Sequence, residues 1–190
     1  MNKNSIIAFI ILLSITRGFA QTWSMDKTHS HVGFSIKYLT VANVVGEFIS
    51  FDAKVSSAQS DFSDASIEFN ADVNSINSNE GGRDTYLKGA DFFDAKQFGT
   101  IIFKSSSLKR IKNNEYSLSG SLTLHGITKP VIFILIYNGT TINEYNKKTV
   151  AGFKVTGTIK RADFNLGVDF PPPMLADEAQ LEADLFLNKD

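Results

Sequence analysis

The chain lacks cysteine altogether, and it has only three histidines among its 190 residues. Without cysteine there is no disulfide, no thiol nucleophile and no cysteine-based metal site, so the fold must be held together by packing of its core. An excess of positive charge is missing too, because 19 basic residues stand against 20 acidic ones. A near-neutral chain of this kind is a poor partner for nucleic acid, and we expect no nucleic-acid binding.

Recognisable catalytic and metal-binding motifs are also absent. The sequence contains no nucleophile elbow, HExxH motif, phosphate-binding glycine loop or dinucleotide fingerprint. His29 and His31 share one face of a predicted strand, but no third ligand follows at a defined spacing, and we predict no metal site. We therefore expect a protein that is not an enzyme and requires no cofactor.

The first twenty residues, "MNKNSIIAFIILLSITRGFA", predict a secretory signal peptide. Lys3 precedes an apolar run over residues 6–15, and Gly18 and Ala20 are the small residues of a cleavage site. The run is shorter than the ~20 apolar residues that a membrane-spanning helix needs. We predict cleavage after Ala20, a periplasmic or secreted location, no stable membrane insertion, and one mature domain over residues 21–190. An uncleaved anchor is the alternative.

Alternation of apolar and polar residues dominates the rest of the chain and predicts an all-β fold. In "ASIEFNADV", for example, Ile67, Phe69, Ala71 and Val73 face one way, and the polar residues face the other. Eight segments carry this pattern: 32–39, 45–55, 65–75, 100–111, 115–124, 128–137, 150–161 and 178–187.

Long sequential strands with one apolar face fit either a sandwich or an up-and-down barrel. Gly46, Gly120 and Gly157 lie inside predicted strands, where glycine usually marks a bulge or the bending that closure requires. We therefore predict an eight-stranded antiparallel up-and-down barrel. Its interior is wide enough to be filled by side chains or to hold one slender ligand.

Residues 79–98 interrupt the strand pattern and predict a short helical insertion. Ser78 or Asn79 can cap its start, Asp84 and Lys88 form an i,i+4 pair, and Gly89 provides a stop. A helix this short needs tertiary contacts, here from Leu87, Phe92 and Phe93. Arg83 and Asp84 then lie either at the barrel mouth or in contacts that tie the helix to a neighbouring loop.

Sixteen phenylalanines are a large number for a chain of this size, and many occupy inward positions. They form either a packed core or the wall of a lumen that accepts a long apolar chain. The candidate lumen residues are Phe34, Ile36, Phe69, Phe103, Leu122, Phe133, Phe153 and Val155. Arg161 ends an apolar row and is predicted either to pair with an acid, Asp163 or Asp84, or to receive a polar head group.

Several motifs together resemble the YceI-like family of exported bacterial proteins, over about residues 26–187. They are Arg83-Asp84 with Leu87, Asp91-Phe92-Phe93, Leu122-Thr123, His125-Gly126 and Thr128-Lys129-Pro130. The resemblance implies a lipocalin-like barrel with a helical insertion. It also implies non-catalytic binding of a polyisoprenoid or other long-chain amphiphile, such as an isoprenoid quinone or prenyl phosphate.

Three residues depart from the family pattern. Tyr38 and Tyr86 stand where histidine is common, and Gly99 stands where proline is usual. A phenol donates a hydrogen bond but stays neutral, so a head-group contact made through an imidazole must change here. The candidate head-group residues are Arg83, Asp84, Lys88, Arg161, Tyr38 and Tyr86.

The leading hypothesis is a periplasmic carrier of an isoprenoid-type lipid or fatty amphiphile held in the lumen. The first alternative is an enzyme acting on a small apolar substrate there, with His29, His31 or His125 as general base beside an aspartate. The second is an interaction module whose lumen is solidly packed. A homodimer is left open, and it would form through side chains because a closed barrel has no free edge.

Overall fold

A computed structural model describes residues 20–190. Apart from Ala20, the predicted signal peptide lies outside the described residues. The described chain contains eleven strand segments, one α-helix and two single 3-10 turns. They are β1 (Gln21–Met25), β2 (His31–Tyr38), β3 (Ala42–Phe48), β4 (Phe51–Ser57), β5 (Ser66–Asp72), a 3-10 turn (Val73–Ser75), β6 (Ile76–Asn77), α1 (Gly81–Lys88), β7 (Thr100–Lys112), β8 (Glu115–Leu124), β9 (Ile127–Ile142), β10 (Thr149–Lys160), a 3-10 turn (Arg161–Phe164) and β11 (Leu175–Lys189).

These segments form one closed antiparallel sheet. The order of neighbours runs from β1 through β4, β5 and β7 to β11, and β1 pairs with β11 to close the barrel. β1 and β2 pair with successive parts of β11, so they act as one interrupted strand. β3 continues into β4 in the same way, and β5 into β6. The predicted eight-stranded barrel is confirmed, although β1 is not among the eight predicted segments.

The antiparallel order gives the barrel two different ends. One end, called the mouth, carries α1, the β2–β3 turn at residues 39–41, and the connection between β10 and β11. Residues 165–174 of that connection are called the lip loop. The other end, called the floor, carries the loop between β4 and β5, at residues 58–65, which is called the floor loop.

The helical insertion lies at the mouth, as a short helix followed by turns. Glu80 caps α1 by accepting hydrogen bonds from the backbone N–H groups of Gly82 and Arg83, so the predicted cap at Ser78 or Asn79 is wrong. The helix ends at Gly89 as predicted. Phe92 and Phe93 are buried, which supplies the apolar contact that so short a helix requires. Within residues 20–190, no helix combines the length and apolarity needed to cross a bilayer.

Two of the three strand glycines serve ring packing rather than bulges. A Cβ on Gly157 would lie 2.1 Å from Cδ1 of Phe133, and one on Gly46 would lie 2.4 Å from Cζ of Phe34. The β10–β11 ladder at Gly157 and the β2–β3 ladder at Gly46 both keep an unbroken register. These glycines let the phenylalanine rings approach the barrel wall more closely than a side chain at either position would allow.

Candidate functional site

The barrel encloses a cavity of about 470 Å³, called the lumen. This volume falls within the ~300–1,000 Å³ typical of small-molecule sites. The lining runs from Phe62 and Ala65 at the floor to Tyr38 and Tyr86 at the mouth, and nearly all of it is aliphatic or aromatic. An interaction module with a solidly packed interior does not predict such a cavity.

All eight predicted lumen residues border this cavity. They are Phe34, Ile36, Phe69, Phe103, Leu122, Phe133, Phe153 and Val155. They come from six different strands, and each occupies an inward position of the alternating pattern. Their positions make a continuous apolar surface along the barrel, while their contact with a ligand remains a prediction.

Two tyrosines border the lumen at its mouth. Tyr38 and Tyr86 are 42% and 41% exposed, so each phenol reaches both water and the cavity. The ring of Tyr86 packs edge-on against Phe170 of the lip loop, with centroids 5.7 Å apart. Partial desolvation, reinforced by the nearby carboxylates of Asp91 and Asp169, raises the pKa of Tyr86. The Tyr86 hydroxyl therefore stays protonated near neutral pH and can donate a hydrogen bond.

Arg83 combines the two roles that the sequence left open. Its Nε donates to the Ser78 hydroxyl at 2.8 Å, and Nη2 donates to the Ser78 carbonyl at 2.6 Å. The half-buried side chain also borders the lumen. Nη1 makes no hydrogen bond within residues 20–190, so one arm of the guanidinium remains available at the mouth.

Asp84 is hydrogen-bonded to the same serine, Ser78. Its carboxylate accepts hydrogen bonds from the Ser78 backbone N–H at 2.8 Å and from the Ser78 hydroxyl at 2.5 Å. The hydroxyl bond is the main reason that the pKa of Asp84 is lowered. Asp84 and Lys88 both lie outside the cavity lining. Their predicted head-group contact is corrected accordingly: Asp84 ties α1 to the preceding loop, and Lys88 does not reach the lumen.

Arg161 takes neither of its predicted roles. It is only 5% exposed, and its five N–H groups donate to five backbone carbonyls. The acceptors are the carbonyls of Leu166, Gly167, Phe170, Leu175 and Ala176, at 2.5 to 3.2 Å. Burial lowers the pKa of Arg161, an effect partly opposed by Asp177.

The guanidinium of Arg161 therefore has no donor left for a head group, although the side chain borders the cavity. No carboxylate within residues 20–190 forms an ion pair with it. Its acceptors belong to the lip loop and to the first residues of β11, so Arg161 fixes the lip loop over the mouth.

None of the three histidines borders the lumen. His29 contacts Asp26 at 3.1 Å, and His31 contacts Glu47 at 3.3 Å, both on the outside. His125 is hydrogen-bonded through Nδ1 to the Phe164 carbonyl at 3.0 Å. The enzyme alternative therefore lacks the lumen histidine that it requires as a base. Residues 20–190 also contain no cluster of three or more potential metal ligands.

The floor contains a buried residue that no sequence pattern indicates. Phe62 lies in the polar stretch "QSDFSD", yet it is 1% exposed and borders the lumen. Its ring packs against Trp23, Tyr137 and Phe153, with centroids 5.1, 5.2 and 4.9 Å away. The only sequence signal is a single phenylalanine among loop residues, and such a signal does not indicate which cavity the ring enters.

Comparisons with known proteins agree on a family. The sequence matches the YceI-like domain over residues 23–187. A UPF0312 protein of Staphylococcus aureus (strain bovine RF122 / ET3-1) is 34% identical over 165 residues, which cover 85% of this chain and 94% of the relative.

Solved structures share the fold. Burkholderia cenocepacia BcnA has a TM-score of 0.75 at 26% identity, covering 85% of this chain and 98% of its own. A polyisoprenoid binding domain from Saccharophagus degradans has a TM-score of 0.68 over 88% of this chain and 98% of its own. At 16% identity, this second likeness concerns the fold alone. The family match spans nearly all of residues 20–190, and this chain belongs to the YceI-like family.

Proposed function

We propose that this protein binds an isoprenoid-type lipid or another long-chain amphiphile in its lumen, without catalysis. The observation that carries the proposal is the lumen itself, an apolar cavity of about 470 Å³ sealed by rings at the floor and open beside polar groups at the mouth. An apolar tail fits the wall, and a polar head fits the rim. Burial of the tail contributes about 25 cal/mol per Å² of apolar surface, offset by the cost of ordering the chain.

The head group would lie among Arg83, Tyr38 and Tyr86. Nη1 of Arg83 offers a charged donor, and the two phenols offer neutral donors at half-exposed positions. Donors of this kind match an oxygen-rich head, such as a quinone carbonyl or a prenyl phosphate. Of the two predicted arginines, Arg83 is the one that can meet the head group, because every Arg161 donor already has a backbone acceptor.

We further propose that this binding takes place outside the cytoplasm, after export. The signal peptide that the sequence predicts in residues 1–20 supports export, and an exported lipid-binding barrel is suited to act as a periplasmic carrier or store. The fold shared with the polyisoprenoid binding domain from Saccharophagus degradans supports a polyisoprenoid as cargo.

The test is native mass spectrometry of protein that is exported and purified without detergent, followed by organic extraction of any bound molecule. The expected result is one extra mass per chain that releases an isoprenoid or fatty amphiphile. The empty protein would then be titrated with a ubiquinone and with a prenyl phosphate. An empty protein that takes up neither compound would refute the proposal.

A further inference from the structure

We infer that Phe62 sets the maximum length of the tail that the lumen accepts. This inference rests on the proposed function and adds a specificity-determining residue to it. A tail that enters at Tyr38 and Tyr86 runs along β11, whose lining residues extend from Leu175 to Leu187. Phe62 borders the lumen at the far end, so the tail would stop against its ring.

The aromatic residues beyond Phe62 support its place at the end of the lumen. The ring of Phe62 lies 5.1 Å from the ring of Trp23, and Trp23 is not part of the cavity lining. Phe62 therefore separates the lumen from the only tryptophan of the chain. Removing the ring would join the space around Trp23 and Tyr137 to the lumen, adding room on the order of a benzene-sized cavity.

The backbone of Phe62 shows that its turn is held by the surrounding contacts. Its φ is +59°, in the left-handed region that bulky side chains rarely adopt. Glycine or asparagine would fit this turn with less strain. The chain instead places a large ring here and directs it into the barrel, and strain of this kind persists where the surrounding contacts enforce it.

Those surrounding contacts hold the floor loop rigidly. The carboxylate of Asp64 accepts hydrogen bonds from the Ser57 hydroxyl and from the backbone N–H groups of Ala58 and Gln59. The Tyr116 hydroxyl donates to the Asp61 carbonyl at 2.9 Å. These bonds join the two ends of the floor loop and tie its middle to β8, so they position the Phe62 ring as the end of the lumen.

The experiment measures binding of a series of prenols that grow by one isoprene unit at a time, geraniol, farnesol, geranylgeraniol and geranylfarnesol, to the mature protein and to Phe62→Ala. Wild-type affinity should increase with chain length up to a limit and then fall. In Phe62→Ala the limit should move to a longer prenol, whose affinity should rise about tenfold, the effect of burying roughly two further methylene groups. Phe62→Trp should move the limit to a shorter prenol.

Trp23 provides a second readout that a purely structural role of Phe62 would not change. A fatty acid with a terminal bromine quenches tryptophan fluorescence at short range. It should quench Trp23 more strongly in Phe62→Ala than in the wild type, because the tail end then reaches the indole. Phe62→Gly, which also relieves the left-handed backbone, provides the same test if Phe62→Ala does not fold.

Phe51→Ala is the matched control. Phe51 is equally a buried aromatic residue of the barrel, but it does not border the lumen. Its truncation should lower stability without changing the length limit. If the wild type binds prenols and the Phe62 variants keep its length limit, the inference is wrong while the proposed function stands. If the wild type binds neither prenols nor the brominated acid, the proposed function itself fails.

Discussion

The two ends of the barrel differ in the side chain that shapes them: an aromatic ring at the floor and a buried guanidinium at the mouth. At the floor, Phe62 seals the lumen with an aromatic ring, and Arg110 pairs with Asp61 on the exposed side of the loop. At the mouth, Arg161 is buried and binds only backbone carbonyls of the lip loop and the start of β11. At the floor an aromatic ring closes the lumen, whereas at the mouth the buried guanidinium holds the lip loop in shape beside the buried rings of Phe92 and Phe93.

Because of this difference, the contacts that stabilise the mouth do not block entry to the lumen. The floor loop closes its end of the lumen with the Phe62 ring, whereas the lip loop, which contributes Phe170 to the lining, is held in place by the Arg161 guanidinium. Arg83 and Asp84 also hold the mouth in shape through polar contacts, since both contact Ser78 and neither fills the cavity. The mouth therefore combines a defined shape with an open path for a ligand.

The first test compares Arg161 at the mouth with Arg110 at the floor. Arg161→Met should lower the free energy of unfolding by about 3–5 kcal/mol, because five carbonyls lose their charged donor. Arg161→Lys should recover only part of this loss, since an ammonium has three donors for five acceptors. Arg110→Met should cost about 0–1 kcal/mol, because Arg110 and Asp61 are 45% and 46% exposed. Urea denaturation measures all three, and equal losses for Arg161→Met and Arg110→Met would contradict the contrast.

The second test narrows the lumen by pushing a ring of the barrel wall inward. Gly157→Ala places a methyl group against Phe133 and should push that ring into the lumen, at a cost of about 1–3 kcal/mol in stability. Uptake of long-chain lipid should fall as well, which titration calorimetry would detect.

Gly152→Ala on the same strand is the control for Gly157→Ala. A Cβ on Gly152 would lie 3.5 Å from Cβ of Asn138, an ordinary contact, so stability should stay within about 1 kcal/mol of the wild type. Unchanged lipid uptake by Gly157→Ala would show that the glycine does not keep the lumen open.

The third test concerns the charge at the mouth. Arg83→Met should weaken binding of a prenyl phosphate about tenfold, which corresponds to about 1.4 kcal/mol for one lost charge-assisted hydrogen bond. Binding of the matching uncharged prenol should change much less. Lys88→Met is the control, because Lys88 does not border the lumen. An equal loss for phosphate and alcohol would mean that Arg83 acts only through Ser78.

The sequence predicts the walls of this molecule better than its ends. Strand residues such as Phe103 and Phe153 follow a two-residue period, so their inward direction can be read directly from the pattern. Phe62 lies in a loop, where no period fixes the direction of a side chain. Arg161 is misassigned for a different reason: the sequence predicts an acid or a polar head group as its partner, whereas its actual partners are backbone carbonyls, which every residue carries.

Arg83 and Asp84 show the limit of motif-based prediction. The sequence leaves open whether the two residues lie at the mouth or tie the helix to a loop, because their common partner, Ser78, is a small polar residue that forms no recognisable motif. Only the fold turns the two side chains toward the same serine. A head-group role is consequently retained for Arg83 and withdrawn for Asp84.

The smallest expected effect is the pH dependence of this serine contact. Because the pKa of Asp84 is lower in the folded state than its ordinary value, its contribution to stability is fully present above the ordinary Asp range near pH ~4 and is lost as the pH falls through the folded pKa. Asp84→Asn, which retains one acceptor, should cost about 1 kcal/mol at pH ~7 and progressively less as the solution is acidified.

The measurement for Asp84→Asn is the free energy of unfolding as a function of pH for the wild type and the variant. The difference between the two should shrink below pH ~4, since the wild-type carboxylate becomes protonated and loses its charge-assisted bonds to Ser78. Asp91→Asn is the control, because Asp91 is exposed on the same insertion and makes no side-chain hydrogen bond within residues 20–190. A difference that stays constant from neutral to acidic pH would mean that the charge of Asp84 does not stabilise the mouth.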